Sequence, residues 1–257
     1  MPDALVSPPP LAAFVPAGAL TAGACDAAIV DLDGTMVDTL GDFDAAIAGM
    51  LSDLGLPQVG RALVHRTIGR GTEHLIDTVL AHALQAAEPD GARPAGAVAD
   101  RREAARERYE RHYTAVNGRH STVYPGVAEG LALLRGRGLR LACVTNKPLA
   151  FARQLLAAKG LDGWFDQVFG GDSFPRKKPD PLPMLQACEA LGSAPARTLA
   201  VGDSRNDAAA ADAAGCPVVL VTYGYNHGEP IDAVAALAHV PRMDAIPAAL
   251  GWPDAGA

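Results

Sequence analysis

An open parallel α/β sheet, interrupted early by an all-helical insertion, is the fold this 257-residue sequence predicts. Three observations predict it. First, short apolar runs end in polar clusters at three distant places. Ile29-Val30 leads into Asp31-Leu32-Asp33-Gly34-Thr35, Leu139 to Val144 leads into Thr145-Asn146-Lys147, and Thr198 to Val201 leads into Gly202-Asp203-Ser204-Arg205-Asn206-Asp207. Each run has the length and composition of a buried strand. Second, the strand pattern gives way to helical spacing between the first run and the second. Third, the carboxyl ends of the strands in such a sheet share one edge, where ligands bind, so the polar clusters would meet there. Arg176-Lys177-Lys178-Pro179-Asp180-Pro181 would join them as a fourth segment.

The elements follow in chain order. Met1 to Ala24 is rich in Pro, Ala and Gly, and residues 1–25 read as a flexible N-terminal tail. Pro8-Pro9-Pro10 and Pro16 break any apolar helix, and no basic segment precedes one, which argues against an export signal. No run approaches the roughly 18 apolar residues of a membrane-spanning helix. At the end of the first strand, Asp31 and Asp33 leave on the same face. Carboxylates that close repel each other, and the pair persists if a divalent cation neutralises it or if one member stays protonated. Both conditions suit phosphoryl transfer, and a plain strand followed by an Asp-Gly turn is the alternative.

From Leu40 to about Arg119, helical spacing appears in Phe43, Ile47, Met50, Leu51 and Leu54, then in Leu75, Ile76, Val79 and Leu80. The glycines of Thr67-Ile68-Gly69-Arg70-Gly71-Thr72 permit a tight loop before a helix starting near Thr72. Gly91 to Gly96 reads as a loop. The charged stretch Asp100 to Tyr113 reads as the solvated face of another helix.

Composition narrows the function. Hydrophobic residues make up 49% of the chain, enough for a sizeable core. The formal net charge of −7 argues against nonspecific nucleic-acid binding. Cysteines 25, 143, 188 and 216 lack paired metal-ligand spacing and read as buried thiols of a reducing cytoplasm. The seven histidines are scattered and form no metal-ligand cluster.

The four polar segments, in this order, resemble the motifs of the haloacid dehalogenase superfamily. Val144-Thr145-Asn146-Lys147-Pro148, Lys177-Lys178-Pro179, Gly202 to Asp207, Ala214-Gly215-Cys216-Pro217 and Thr222-Tyr223-Gly224-Tyr225-Asn226 are most similar to its bacterial phosphoglycolate phosphatases. The likeness runs from about Asp26 to Leu250. It implies a Rossmann-like core over 26–39 and 120–257, with a helical cap inserted over 40–119. It also implies that Asp31 is a nucleophile forming an aspartyl phosphate, and that Asp33 is the acid and base. Thr145 would offer its hydroxyl and amide to the phosphoryl group, and Lys178 a balancing positive charge.

The resemblance implies Mg²⁺ as cofactor, held by Asp31, by Asp33 through its backbone carbonyl, and by Asp203. Asp207 would support that site, with a helix-start carboxylate as the alternative. Asn146 and Lys147 would border the substrate, Lys147 as a second anion contact. In the cap loop, Gly69 would accompany Arg70, whose guanidinium could pair with the carboxylate of a small acid such as 2-phosphoglycolate. A solvent-exposed arginine is the alternative there. The implied partner is a small phosphorylated substrate, with neither nucleic acid nor membrane. Other readings are a phosphatase for another small ester such as a sugar phosphate, a sugar phosphomutase using the same nucleophile, and a noncatalytic protein keeping the fold. A dehalogenase is disfavoured because displacing halide needs neither a metal nor an acid at Asp33.

Overall fold

Successive residues of the first strand bury against opposite layers, as period-two alternation requires. In β1 (Ala27–Val30), Ala28 and Val30 join one hydrophobic cluster while Ala27 and Ile29 join another. The computed structural model describes residues 24–88 and 96–253. After β1 come β2 (Val37–Asp38), then α1 (Leu40–Asp53), α2 (Arg61–Thr67), α3 (Thr72–Ala87) and α4 (Ala97–Val116), then β3 (Thr122–Val123). The chain continues through α5 (Val127–Gly136), β4 (Arg140–Val144), α6 (Leu149–Ala158), β5 (Gln167–Phe169) and α7 (Leu182–Leu191). It ends with β6 (Thr198–Gly202), α8 (Arg205–Ala214), β7 (Val218–Val221), β8 (Ala238–Val240) and α9 (Ile246–Ala249).

Six strands form a parallel sheet in the order β5-β4-β1-β6-β7-β8. The order reverses beside β1, so this strand borders the crevice where ligands bind in such sheets. Val30 is level with Cys143 on β4 and Val201 on β6, which brings Asp31, Thr145 and Asp203 to one edge. The predicted sheet is therefore present. Strands β5, β7 and β8, which sequence reading did not single out, are short and extend it on both sides.

Helices α1 to α4 form the insertion and bury their own cluster, including Phe43, Ile47, Met50, Leu75, Ile76 and Leu80. The helix starting at Thr72 is present as expected. Asp100 to Tyr113 corrects its expectation, because α4 is not merely a solvated face. Its Ala105, Tyr109 and Tyr113, spaced four apart, are buried stripe residues at 0%, 1% and 1% exposure. Of the predicted loop Gly91 to Gly96, only Gly96 is among the described residues, and residues 1–23 of the predicted tail lie outside them.

Chain entry to and exit from the insertion are tied together. β2 and β3 pair antiparallel, and the buried carboxylate of Asp42 accepts backbone N–H bonds from Gly118 at 2.8 Å and His120 at 2.7 Å. Lys159 Nζ donates to the carbonyls of Gly118 and Ser121 at 2.7 and 2.6 Å. All four cysteines are free and buried. Among the described residues no helix is long and apolar enough to cross a membrane.

The Asp42 clamp carries a stability cost if removed. Asp42→Ala leaves two backbone donors without a charged acceptor and is expected to lose about 3 kcal/mol in urea unfolding. A loss below about 1 kcal/mol would show that water replaces the carboxylate freely.

Candidate active site

One buried ammonium organises the carboxylates at the sheet edge. Lys178 Nζ donates to Asp31 Oδ1 at 2.7 Å, to Asp207 Oδ1 at 2.6 Å and to the Val144 carbonyl at 2.7 Å. Its three donors are thereby used. Asp207 has two tasks: it holds this lysine, and it closes a capping box with Ser204 at the start of α8, where Ser204 Oγ donates to Asp207 Oδ2 at 2.6 Å. The helix-start carboxylate that the sequence offered as the alternative for Asp207 is therefore present, and the same side chain also reaches Lys178.

Asp203 is fixed by the segment Tyr223 to Asn226. The Tyr225 N–H donates to Asp203 Oδ2 at 2.5 Å, and Thr35 Oγ1 donates to Asp203 Oδ1 at 3.1 Å. A Cβ at Gly34 or at Gly224 would stand 2.2 Å from Asp203 Oδ2, so both positions need glycine, Gly34 also for its φ of +86°. The Tyr225 hydroxyl accepts N–H bonds from Thr39 and Leu40 at 2.8 and 3.1 Å and donates to Asp38. The Tyr223 hydroxyl donates to the Thr35 carbonyl at 2.7 Å. This loop thus joins the acidic site to the start of the insertion, a task sequence reading did not supply.

Asp33 stands in different company from Asp31. Lys147 Nζ donates to its two oxygens at 2.7 and 3.0 Å, and Thr39 Oγ1 donates at 2.8 Å. The Lys147 side chain is 2% exposed, with Nζ 4.7 Å from the Phe43 ring centroid and 5.0 Å from that of Tyr113. Sequence reading placed Lys147 beside an anion but did not foresee Asp33 as its partner. Thr145 Oγ1 accepts the Lys147 N–H at 3.2 Å, leaving its own proton to donate. Burial and then the Asp33 charge raise the phenols of Tyr109 and Tyr113 well above their ordinary range, which keeps them protonated.

Asp31, Asp33, Thr145, Asn146, Lys147, Lys178, Asp203 and Asp207 all line one cleft, and the insertion contributes Gly69, Gly71, Phe43, Tyr109 and Tyr113 to it. The Gly69 carbonyl accepts from Asn146 Nδ2 at 2.9 Å and from Asn206 Nδ2 at 3.2 Å, which latches the loop to the core. Arg70, by contrast, is exposed and is not among the lining residues. Sequence reading missed Asn206, Thr35, Thr39 and the two tyrosines. The four-residue spacing of Ala105, Tyr109 and Tyr113 was the available signal for the tyrosines.

A family model described as haloacid dehalogenase-like hydrolase matches residues 25–215. The chain is 42% identical over 217 residues to the phosphoglycolate phosphatase of Thiobacillus denitrificans, covering 84% of this chain and 92% of the relative. It belongs to the haloacid dehalogenase-like hydrolases. A plasmid phosphoglycolate phosphatase of Cupriavidus necator is 45% identical over 226 residues, or 88% of this chain and 93% of the relative. Among solved structures, a predicted phosphoglycolate phosphatase from Haemophilus somnus superposes with a TM-score of 0.81 at 35% identity, covering 87% of this chain and 96% of that one.

Phosphatases of this family are generally metal-dependent, and the site's own electrostatics fit a cation. Carboxylate oxygens of Asp31, Asp203 and Asp207 lie within 4.8 Å of one another, all buried. Three carboxylates around one ammonium carry excess negative charge. Desolvation pushes the Asp31 carboxyl up to about 7; Lys178 opposes the rise and Asp207 adds to it. Burial, then Asp207 and Asp31, pushes Asp203 well above its ordinary range. Burial works against the charge of Lys178, but Asp207 and Asp31 outweigh it and hold the ammonium protonated. An all-oxygen donor set of this kind suits a hard divalent cation.

The sign of the pH effect follows. Carboxyls whose folded pKa lies above the unfolded value bind more protons folded than unfolded, so the folded state loses stability as pH rises from near 3.8 to about 7. With chelator present, the melting temperature is expected to be lower at about pH 8 than at about pH 5.5, and added divalent cation to raise it most at the higher pH. A chelated melting temperature that climbs over that interval would contradict this charge balance.

Proposed function

We propose that this hydrolase is a Mg²⁺-dependent phosphomonoesterase that converts 2-phosphoglycolate to glycolate and phosphate, working in the cytoplasm, where four free thiols are chemically at home. The observation that carries the reading is the Asp31–Lys178–Asp207 ion-pair chain beside Asp203 at the sheet's switch point. The similarity to phosphoglycolate phosphatases at 42% and 45% identity supports the choice of substrate.

In the first step, an Asp31 oxygen attacks phosphorus in line, the ester P–O bond breaks, and Asp33 gives its proton to the leaving alkoxide. In the second, Asp33 takes a proton from water, the water oxygen attacks phosphorus, and the bond to Asp31 breaks to release phosphate. Lys178 balances charge on the Asp31 carboxylate. The Thr145 hydroxyl, with Asn146 beside it, binds a phosphoryl oxygen; the Thr145 N–H, which the sequence also offered for this, is instead taken by the Phe169 carbonyl at 3.0 Å. Mg²⁺, held by Asp31, Asp203 and the Asp33 carbonyl with Asp207 in support, would offset the repulsion between the nucleophile and the phosphoryl dianion.

Residues 40–119 act as a cap over the Rossmann-like core of 26–39 and 120–257. Latching of Gly69 by Asn146 and Asn206 supports that role, because a closed lid excludes water from the intermediate. The aromatic wall facing Lys147 supports a short anionic leaving group over a polyol, whose hydroxyls would find few partners there.

The test is phosphate release over a panel of 2-phosphoglycolate, phospholactate, sugar phosphates and nucleotides, with Mg²⁺ and with chelator. 2-Phosphoglycolate is expected to lead in kcat/KM by about tenfold or more, roughly 1.4 kcal/mol of discrimination. A leading sugar phosphate would replace the named substrate, and substrate consumed without phosphate release would point to a mutase. Asp31→Asn is expected to lower turnover by about a thousandfold or more, whereas retained activity would remove the aspartyl-phosphate mechanism.

A further inference from the structure

We propose that the Tyr113 hydroxyl and the Lys147 ammonium together bind the carboxylate of the substrate's leaving group, the task that sequence reading assigned to Arg70. The inference rests on the phosphatase reading above and adds which residues select the acid.

Tyr113 stands in the last turn of α4, is 1% exposed and lines the cleft, yet its hydroxyl has no hydrogen-bond partner among the described residues. Buried hydroxyls are nearly always paired, and an exception facing a cleft points to a missing ligand. The ring of the same residue lies 5.0 Å from Lys147 Nζ, so the orphaned donor and the cation belong to one wall. Lys147 itself carries three donors, and its ammonium's oxygen partners among the described residues are both on Asp33. Its side chain is only 2% exposed, so much of its desolvation is already met by the fold when a further anion approaches.

The two lysines divide the site. Lys178 contacts Asp31, the proposed nucleophile, and so serves the phosphoryl end. Lys147 contacts Asp33, the proposed proton donor to the ester oxygen, and so serves the leaving-group end. An anion that reaches Lys147 must hang close to that oxygen, as the carboxylate of an α-phosphooxy acid does and the distant groups of a sugar or nucleotide do not. Phe43, Tyr109 and Phe151 complete the wall and offer the leaving group little besides apolar surface and phenol oxygen. The exposed Arg70 takes no part in it.

The experiment compares kcat/KM for 2-phosphoglycolate with that for ethyl phosphate, the same skeleton without a carboxylate, at saturating Mg²⁺. Wild type, Tyr113→Phe, Lys147→Met and Arg70→Ala are measured side by side. The ratio of the two values is expected to fall about tenfold in Tyr113→Phe, through a raised KM for 2-phosphoglycolate, and about a hundredfold in Lys147→Met. Tyr113→Phe removes only an unpartnered oxygen, so an unchanged melting temperature separates recognition from folding. A ratio retained in either variant, or lost in Arg70→Ala instead, overturns the inference and leaves the phosphatase reading standing. A wild-type enzyme that does not prefer 2-phosphoglycolate to ethyl phosphate overturns the substrate reading itself, and this inference with it.

Discussion

Repulsion among buried carboxylates is the constraint on which the rest of this structure depends. Asp31, Asp203 and Asp207 share one small volume out of water, and the single ammonium of Lys178 meets two of them directly. Such an arrangement is costly in the folded chain, since desolvation and like charge act in the same direction. It persists because the surrounding structure holds each oxygen: the capping box at α8 fixes Asp207, and Thr35 with the Tyr225 amide fixes Asp203. The strain in charge is what gives the site its appetite for a cation.

The same constraint explains the glycines and the loop around them. Gly34 and Gly224 approach Asp203 so closely that no side chain fits at either position. Tyr225 then carries the fixation outward, since its amide holds Asp203 while its hydroxyl takes the first N–H groups of α1. The acidic site and the entry to the insertion are therefore coupled through one residue. The Asp42 carboxylate anchors Gly118 and His120, where the chain returns from the insertion.

Adjacent carboxylates receive separate lysines. Asp31 and Asp33 are two residues apart, yet one pairs with Lys178 and the other with Lys147. The first is crowded by further carboxylates, whereas the second meets a threonine hydroxyl and an ammonium that faces an aromatic ring. Two chemically identical side chains are thereby held in unlike surroundings.

The sequence by itself determined the parallel sheet's β1, β4 and β6 and the polar strand ends that share its edge, because those depend on local pattern: apolar runs of strand length, each closing on Asp, Thr or Asp. It determined the helices α1 and α3 for the same reason. Only the tertiary structure decided the partners. Lys147 reaching Asp33, Asn206 reaching the Gly69 carbonyl and Tyr225 reaching Asp203 join residues 114, 137 and 22 positions apart, and no local period encodes such meetings. Arg70 and Tyr113 make the point in opposite directions. A guanidinium between two glycines looked like an anion contact and lies in solvent, while tyrosines in a charged helix looked like surface and line the cleft. Which face of a helix or loop meets the core is set by packing against elements far away in the chain, and side-chain chemistry alone does not carry that information.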